Sequence, residues 1–217
     1  MADKNAFWHS LLFTIFIFVS GLFLGLIMEN SRVSNIESAF YESEINLIDQ
    51  QTRVDVISGF NVSCDVAKNE LVDFADRIYY EALKLENFDS SSKFANELPL
   101  LHKRYDLLRM VLWAESKQFS LKCPQEIHRI VYLYEYSTED PGMLGLQLFY
   151  SRLLGDVKDK YSDSVLLIPI AINTNVSSVH SVLQSYNITK YPAIIIDEEI
   201  IFTEPPTLED FDNYLTS

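Results

Sequence analysis

Cys64 and Cys123 are the only thiols in the chain, and they stand too far apart in sequence to make a Cys-x-x-Cys pair. Redox work needs two such thiols at a helix N-terminus, where exposed N–H groups and the helix dipole lower the first thiol's pKa. Other reactive chemistry is equally sparse. The histidines His9, His102, His128 and His180 are scattered, and neither His-Glu-x-x-His nor paired Cys-x-x-Cys ligands occur, so no metal and no cofactor is expected. There is no Gly-rich phosphate loop and no Gly-x-Ser-x-Gly turn. Glu126 and His128 read as a surface pair, and no catalytic residue is assigned. Asn61, Asn175 and Asn187 each begin an Asn-x-Ser/Thr sequon, an acceptor for glycosylation outside the cell.

The cysteines gain meaning from the elements that carry them. Residues 65–87 repeat Val66, Leu71, Phe74, Ile78, Ala82 and Leu85 at helical spacing, and residues 98–121 do so with Leu101, Tyr105, Leu108, Leu112 and Phe119. Asp89-Ser90-Ser91-Ser92 between them is turn chemistry, so an antiparallel helix hairpin is expected. At ~1.5 Å of rise per residue the chain travels out about 35 Å and returns nearly as far. Cys64 and Cys123 therefore arrive at the same end, where a disulfide would clamp the hairpin's base. Two buried thiols in a reducing compartment are the alternative.

Residues 7–28 carry His9 but no side chain charged throughout physiological pH, and they match the ~20 residues needed to cross a bilayer core. A cleaved signal peptide would end in a small-x-small site, which Gly25-Leu26-Ile27-Met28-Glu29 does not offer. Residues 1–30 are therefore expected to be a signal anchor. Lys4 and the α-amine, with Asp3, precede the stretch and Arg32 follows it, and the orientation adopted puts the soluble part outside the cytoplasm. Residues 33–57, with Val33, Ile36, Phe40, Leu47, Ile48 and Val54, form an imperfect amphipathic helix, so 31–125 reads as a helical spacer. A net charge of −14 and pI near 4.6 exclude sequence-independent nucleic-acid binding. The one basic cluster, His102-Lys103-Arg104 with Arg109, reads as a solvated helix face.

In residues 126–217 the expected order is a strand over 130–136, a turn at 137–142, a helix to 161, and a buried strand over 165–172. In that helix Leu144, Leu148, Leu153, Leu154 and Val157 recur at roughly helical spacing. A short helix over 177–186 follows, then Tyr186-Asn187-Ile188-Thr189-Lys190-Tyr191-Pro192 and a strand. Asp197-Glu198-Glu199 reads as a hairpin turn, and Thr207 caps a last helix. A Tyr-x-Ile-x-x-x-Pro before an apolar strand resembles the cis-proline segment of the thioredoxin family. The resemblance covers 127–217 and implies an α/β fold, βαβ then ββα, preceded here by the membrane helix and the hairpin.

In that family the proline faces a Cys-x-x-Cys across a substrate groove. Asp140-Pro141-Gly142-Met143 stands at the corresponding place, and Asp and Met cannot exchange disulfides. A narrower resemblance joins Cys64, Lys103-Arg104-Tyr105 and Cys123 to membrane-anchored thioredoxin-like proteins of archaea, which usually keep their Cys-x-x-Cys. The expectation is a membrane-tethered, redox-inactive adaptor or chaperone-like module for a polypeptide or membrane-protein partner. Its groove would be lined by Tyr136, Asp140, Pro141, Gly142, Met143, Tyr191 and Pro192. A thiol-disulfide oxidoreductase working through Cys64 and Cys123, and a structural subunit of a membrane complex, are the alternatives.

Overall fold

The computed structural model describes residues 7–27, eight positions between 45 and 60, and residues 62–89, 98–124 and 127–215. The expected helix over 33–57 lies mostly outside them, as do Met28, Asn61 and Glu126. The chain falls into two compact units, Met1–Thr52 and Arg53–Ser217. In the first, helix α1 (Phe7–Ile27) is 21 residues long and apolar enough to cross a membrane. The Thr14 hydroxyl donates to the Ser10 carbonyl at 2.9 Å, which satisfies a polar group inside the apolar stretch.

The second unit opens with the hairpin, α2 (Cys64–Asp89) and α3 (Leu98–Lys122). Ala67, Leu71, Phe74 and Ile78 of α2 are buried, as are Tyr105, Leu108, Leu112 and Phe119 of α3. Cys64 and Cys123 are bonded, with α-carbons 5.8 Å apart.

Four strands follow: β1 (His128–Tyr134), β2 (Val165–Ala171), β3 (Ala193–Ile196) and β4 (Ile200–Phe202), in spatial order β2-β1-β3-β4. β1 and β2 are parallel, whereas β3 is antiparallel to β1 and β4. Helix α4 (Pro141–Tyr161) joins β1 to β2, α5 (Ser177–Ser185) precedes β3, and α6 (Leu208–Leu215) ends the unit. Pro169 has no N–H to give, and its strand, β2, is an edge that pairs only with β1.

Side chains alternate across the sheet. Ile130, Tyr132, Val165, Ile194 and Ile196 form one core with Tyr150, Leu154 and Val157 of α4 and Phe211 and Leu215 of α6. Lys160 and the Tyr161 hydroxyl both donate to Asp212 Oδ1, tying α4 to α6. By register, Val131, Leu133, Leu166, Ile168, Ile170 and Ile195 project from the opposite face. They are buried, and α3 packs along β1, β2 and α5. The second hairpin helix is therefore also a cover of the sheet.

Three polar contacts fix α3 there. Buried Asp106 accepts from the Ala171 N–H at 3.1 Å and from the Thr174 hydroxyl. Trp113 Nε1 donates to Glu198 at 2.6 Å, and His102 lies against Tyr136 with ring centres 3.7 Å apart. The basic cluster read as a solvated face is accordingly engaged: Arg104 meets Glu81 at 3.1 Å and Arg109 approaches Asp106 at 3.7 Å.

Candidate functional site

The candidate residues converge where β1 finishes. Past Tyr134 the loops after β1 and β2 continue the ladder: Ile172 N–H donates to the Tyr134 carbonyl at 2.9 Å. Asn173 then bonds both backbone groups of Tyr136, its Oδ1 accepting from the N–H and its Nδ2 donating to the carbonyl, each at 2.8 Å. Ser137 takes φ 55° and reverses the chain. Asp140 caps α4, its Oδ1 accepting from the Gly142 N–H at 2.8 Å, with Pro141 in the first turn. A proline there sacrifices only an N–H that has no partner inside the helix.

This start of α4 is where a thiolate would gain from the helix dipole. Asp140 places a carboxylate there instead, and the only two sulfur atoms of cysteine are held at the opposite end of the hairpin helices in the Cys64–Cys123 bond. Met143 is half-buried in the first turn.

Ala193 pairs with Leu133, so by register Tyr191 and Pro192 extend past the end of β3 towards the end of β1. The Tyr191–Pro192 peptide is cis. Pro192 is buried and Tyr191 half-buried, with the Tyr191 hydroxyl donating to the Ile188 carbonyl at 3.1 Å and its pKa raised by burial. β4 covers β3 only along 194–196, so neither neighbouring strand reaches Tyr191. Its backbone N–H and C=O enter no hydrogen bond among the described residues. A cleft of about 450 Å³ opens beside it, walled by Leu183, Ile188 and Thr189. The site thus offers a backbone donor and acceptor next to the start of β3, a cleft walled in part by Leu183 and Ile188, and a capped helix start.

The sheet's other end is closed. Arg129, only 6% exposed, bonds both Asp197 and Glu198 at 3.0–3.1 Å. His128 Nδ1 lies 2.6 Å from Asp197 Oδ2, so His128 belongs to this network. Burial would raise the Asp197 carboxyl, but the bonds from His128 and the Arg129 N–H, with the Arg129 charge, together hold it below the usual range. Asp197 and Glu198 both take positive φ in the turn between β3 and β4.

Sequence reasoning missed Asn173, Asp106 and His102. Asn173 sits in a recognisable turn cluster after β2, but its bond to Tyr136 spans 37 residues and has no local signal. The helical spacing of Leu144, Leu148, Leu153, Leu154 and Val157 marks the helix but not its buried side: Leu144 and Leu148 are 51% and 53% exposed, and Tyr150, Leu154 and Val157 face the core. Among the described residues no cluster of three metal-ligating side chains occurs. The sequon residues Asn175 and Asn187 are exposed, at φ 60° and 52°. The chain matches no protein-family model, no curated protein and no solved structure.

Proposed function

We propose that this chain is a membrane-tethered, redox-inactive thioredoxin-like protein that holds an extended polypeptide at the end of the sheet where β1 finishes. The observation that carries the reading is the Tyr191 backbone, whose N–H and C=O have no bond within the described residues although the segment leads directly into a central strand. An incoming segment in β conformation supplies the complementary groups, and its side chains alternate between the cleft of Leu183 and Ile188 and the start of α4. The thioredoxin-like part of the reading is supported by the order β1-α4-β2 then β3-β4-α6 and by the cis peptide ahead of β3.

Redox inactivity follows from the thiol inventory. Holding a strand by its backbone needs no sulfur, so binding survives without exchange chemistry. α1 would serve as the tether, and the disulfide and the exposed sequons support an oxidising side of the membrane for the soluble unit.

The test uses the detergent-solubilised full chain and an unfolded, carboxymethylated polypeptide. Hydrogen exchange at the Tyr191 amide should slow when the polypeptide is added, while amides of the β3–β4 turn stay unchanged. No change at Tyr191 would remove the reading. Insulin reduction that disappears in Cys123→Ser would replace it with the oxidoreductase.

A further inference from the structure

We infer that the exposed face of α4 is a self-association surface on which a second copy of this chain docks antiparallel, across a twofold axis between Gly145 and Leu148. Leu144, Leu148 and Phe149 are 51%, 53% and 48% exposed, and Pro141 and Gly145 are exposed beside them. This is an apolar stripe at helical spacing with no core over it. The face changes character at its far end, where Arg152 and Asp156 are exposed. Arg152 enters no ion pair among the described residues. At the near end stand exposed Glu139 and Asp140.

An antiparallel copy makes these features complementary. It sets Leu148 of one chain beside Gly145 of the other, where an added Cβ meets nothing within 4 Å, and Leu144 beside Phe149. Arg152 then comes alongside Pro141, within a side chain's reach of Glu139. Each contact occurs twice, as an isologous interface requires. A parallel pair would set Arg152 on Arg152 and Glu139 on Glu139. An anionic lipid surface would meet a rim of Glu139, Asp140 and Asp156 on a chain of net charge −14.

A stable soluble dimer buries about 800 Å² per partner, more than this short stripe supplies, so the pair is weak in dilute solution. Confinement to one membrane raises the effective concentration and makes it populated. In that respect the inference rests on the tether in the proposed function, though not on the Tyr191 site.

The experiment uses full-length chain in native membranes, co-expressing Gly145→Cys and Leu148→Cys variants, with Asp159→Cys, almost three turns past Phe149 on the same side of α4, as control. Mild oxidation should give a covalent dimer of this chain at the first pair and at least tenfold less at Asp159→Cys. Arg152→Glu should lower the yield several-fold at low ionic strength, and adding Glu139→Lys should restore it. Equal yields at Asp159→Cys, or adducts to a different protein in place of the dimer, would overturn the inference. Alkaline extraction of the same membranes reports the tether separately. A chain that stays embedded without a dimer band sinks the surface alone; one that is released while the band persists sinks the tether alone; loss of both sinks both.

Discussion

Where β1 begins, Arg129 lies between Asp197 and Glu198, Trp113 donates to Glu198 and His128 meets Asp197; where β1 finishes, the Tyr191 N–H and C=O have no bond among the described residues, and Leu144 and Leu148 lie open on α4. The same sheet serves both ends. Its beginning spends its hydrogen-bonding capacity internally, and its finish leaves a backbone donor and acceptor without a bond among the described residues. Stability should accordingly reside at the closed end, and substitutions at the open end should alter binding while leaving the fold standing.

The largest effect belongs to the disulfide. Cys64 and Cys123 are 59 residues apart, and freeing that loop by Cys64→Ser with Cys123→Ser should cost about 4 kcal/mol in the chain-entropy model. Urea unfolding of the full chain in detergent measures it. A loss under 1 kcal/mol would show that the hairpin base is held by packing alone.

Arg129→Met comes next. It leaves the partly buried carboxylates of Asp197 and Glu198 without the buried Arg129 charge, and breaking a buried pair from one side costs up to about 3 kcal/mol. The same urea midpoint should fall accordingly, whereas Tyr191→Phe at the open end should move it by less than about 1 kcal/mol. Equal losses would erase the contrast between the ends.

A smaller effect separates by pH. Burial pushes the Glu115 carboxyl up to about 7, against the fields of Arg53 and Arg77. Because its folded pKa lies above the ordinary carboxyl value, this group's contribution is fully present below that ordinary value and is lost as pH rises through about 7. Glu115→Gln, which mimics the neutral acid, should therefore stabilise the chain by about 1–2 kcal/mol at pH 8 and hardly at all at pH 4.5. Asp197, held low at the closed end, runs the other way and loses its contribution as pH falls. Thermal midpoints of Glu115→Gln and the parent across that range give the slope, and an unchanged difference at both pH values would contradict it.

The hairpin and its disulfide were legible because helical period and turn chemistry are local, and two helices of similar length bring Cys64 and Cys123 to one end. The β3–β4 turn was legible too, but its anchor was not: Glu198 meets Trp113 across 85 residues. The role of α3 as a cover was hidden for a related reason. Its contacts to the sheet run through Asp106 and Trp113, and a stripe that includes a carboxylate does not register as an apolar face. In α4 the limit is different. Periodicity marks Leu144 and Leu148 as apolar and says nothing of whether another element covers them, so an exposed apolar face cannot be told from core. At the open end, Asp140, Pro141 and Gly142 were recognisable as a helix start, while the Tyr191 backbone groups that have no bond among the described residues emerged only from strand register.

The smallest effect tests the open end itself. Asp140 is exposed and contributes one cap bond, to the Gly142 N–H, so Asp140→Ala should cost about 1 kcal/mol. The informative variant is Asp140→Cys with Met143→Cys, which puts two thiols three positions apart across the first turn of α4, a spacing that a disulfide can bridge. Its first thiol takes the place of the capping carboxylate beside free helix N–H groups, so its pKa should fall below that of an ordinary cysteine. Mass spectrometry after mild oxidation should find the new bond with Cys64–Cys123 intact, at a stability within about 1 kcal/mol of the parent. If the thiols stay apart, or titrate like ordinary cysteines, the start of α4 is not the vacated place of a thiol pair, and the thioredoxin-like reading of this end loses its basis while the closed end is untouched.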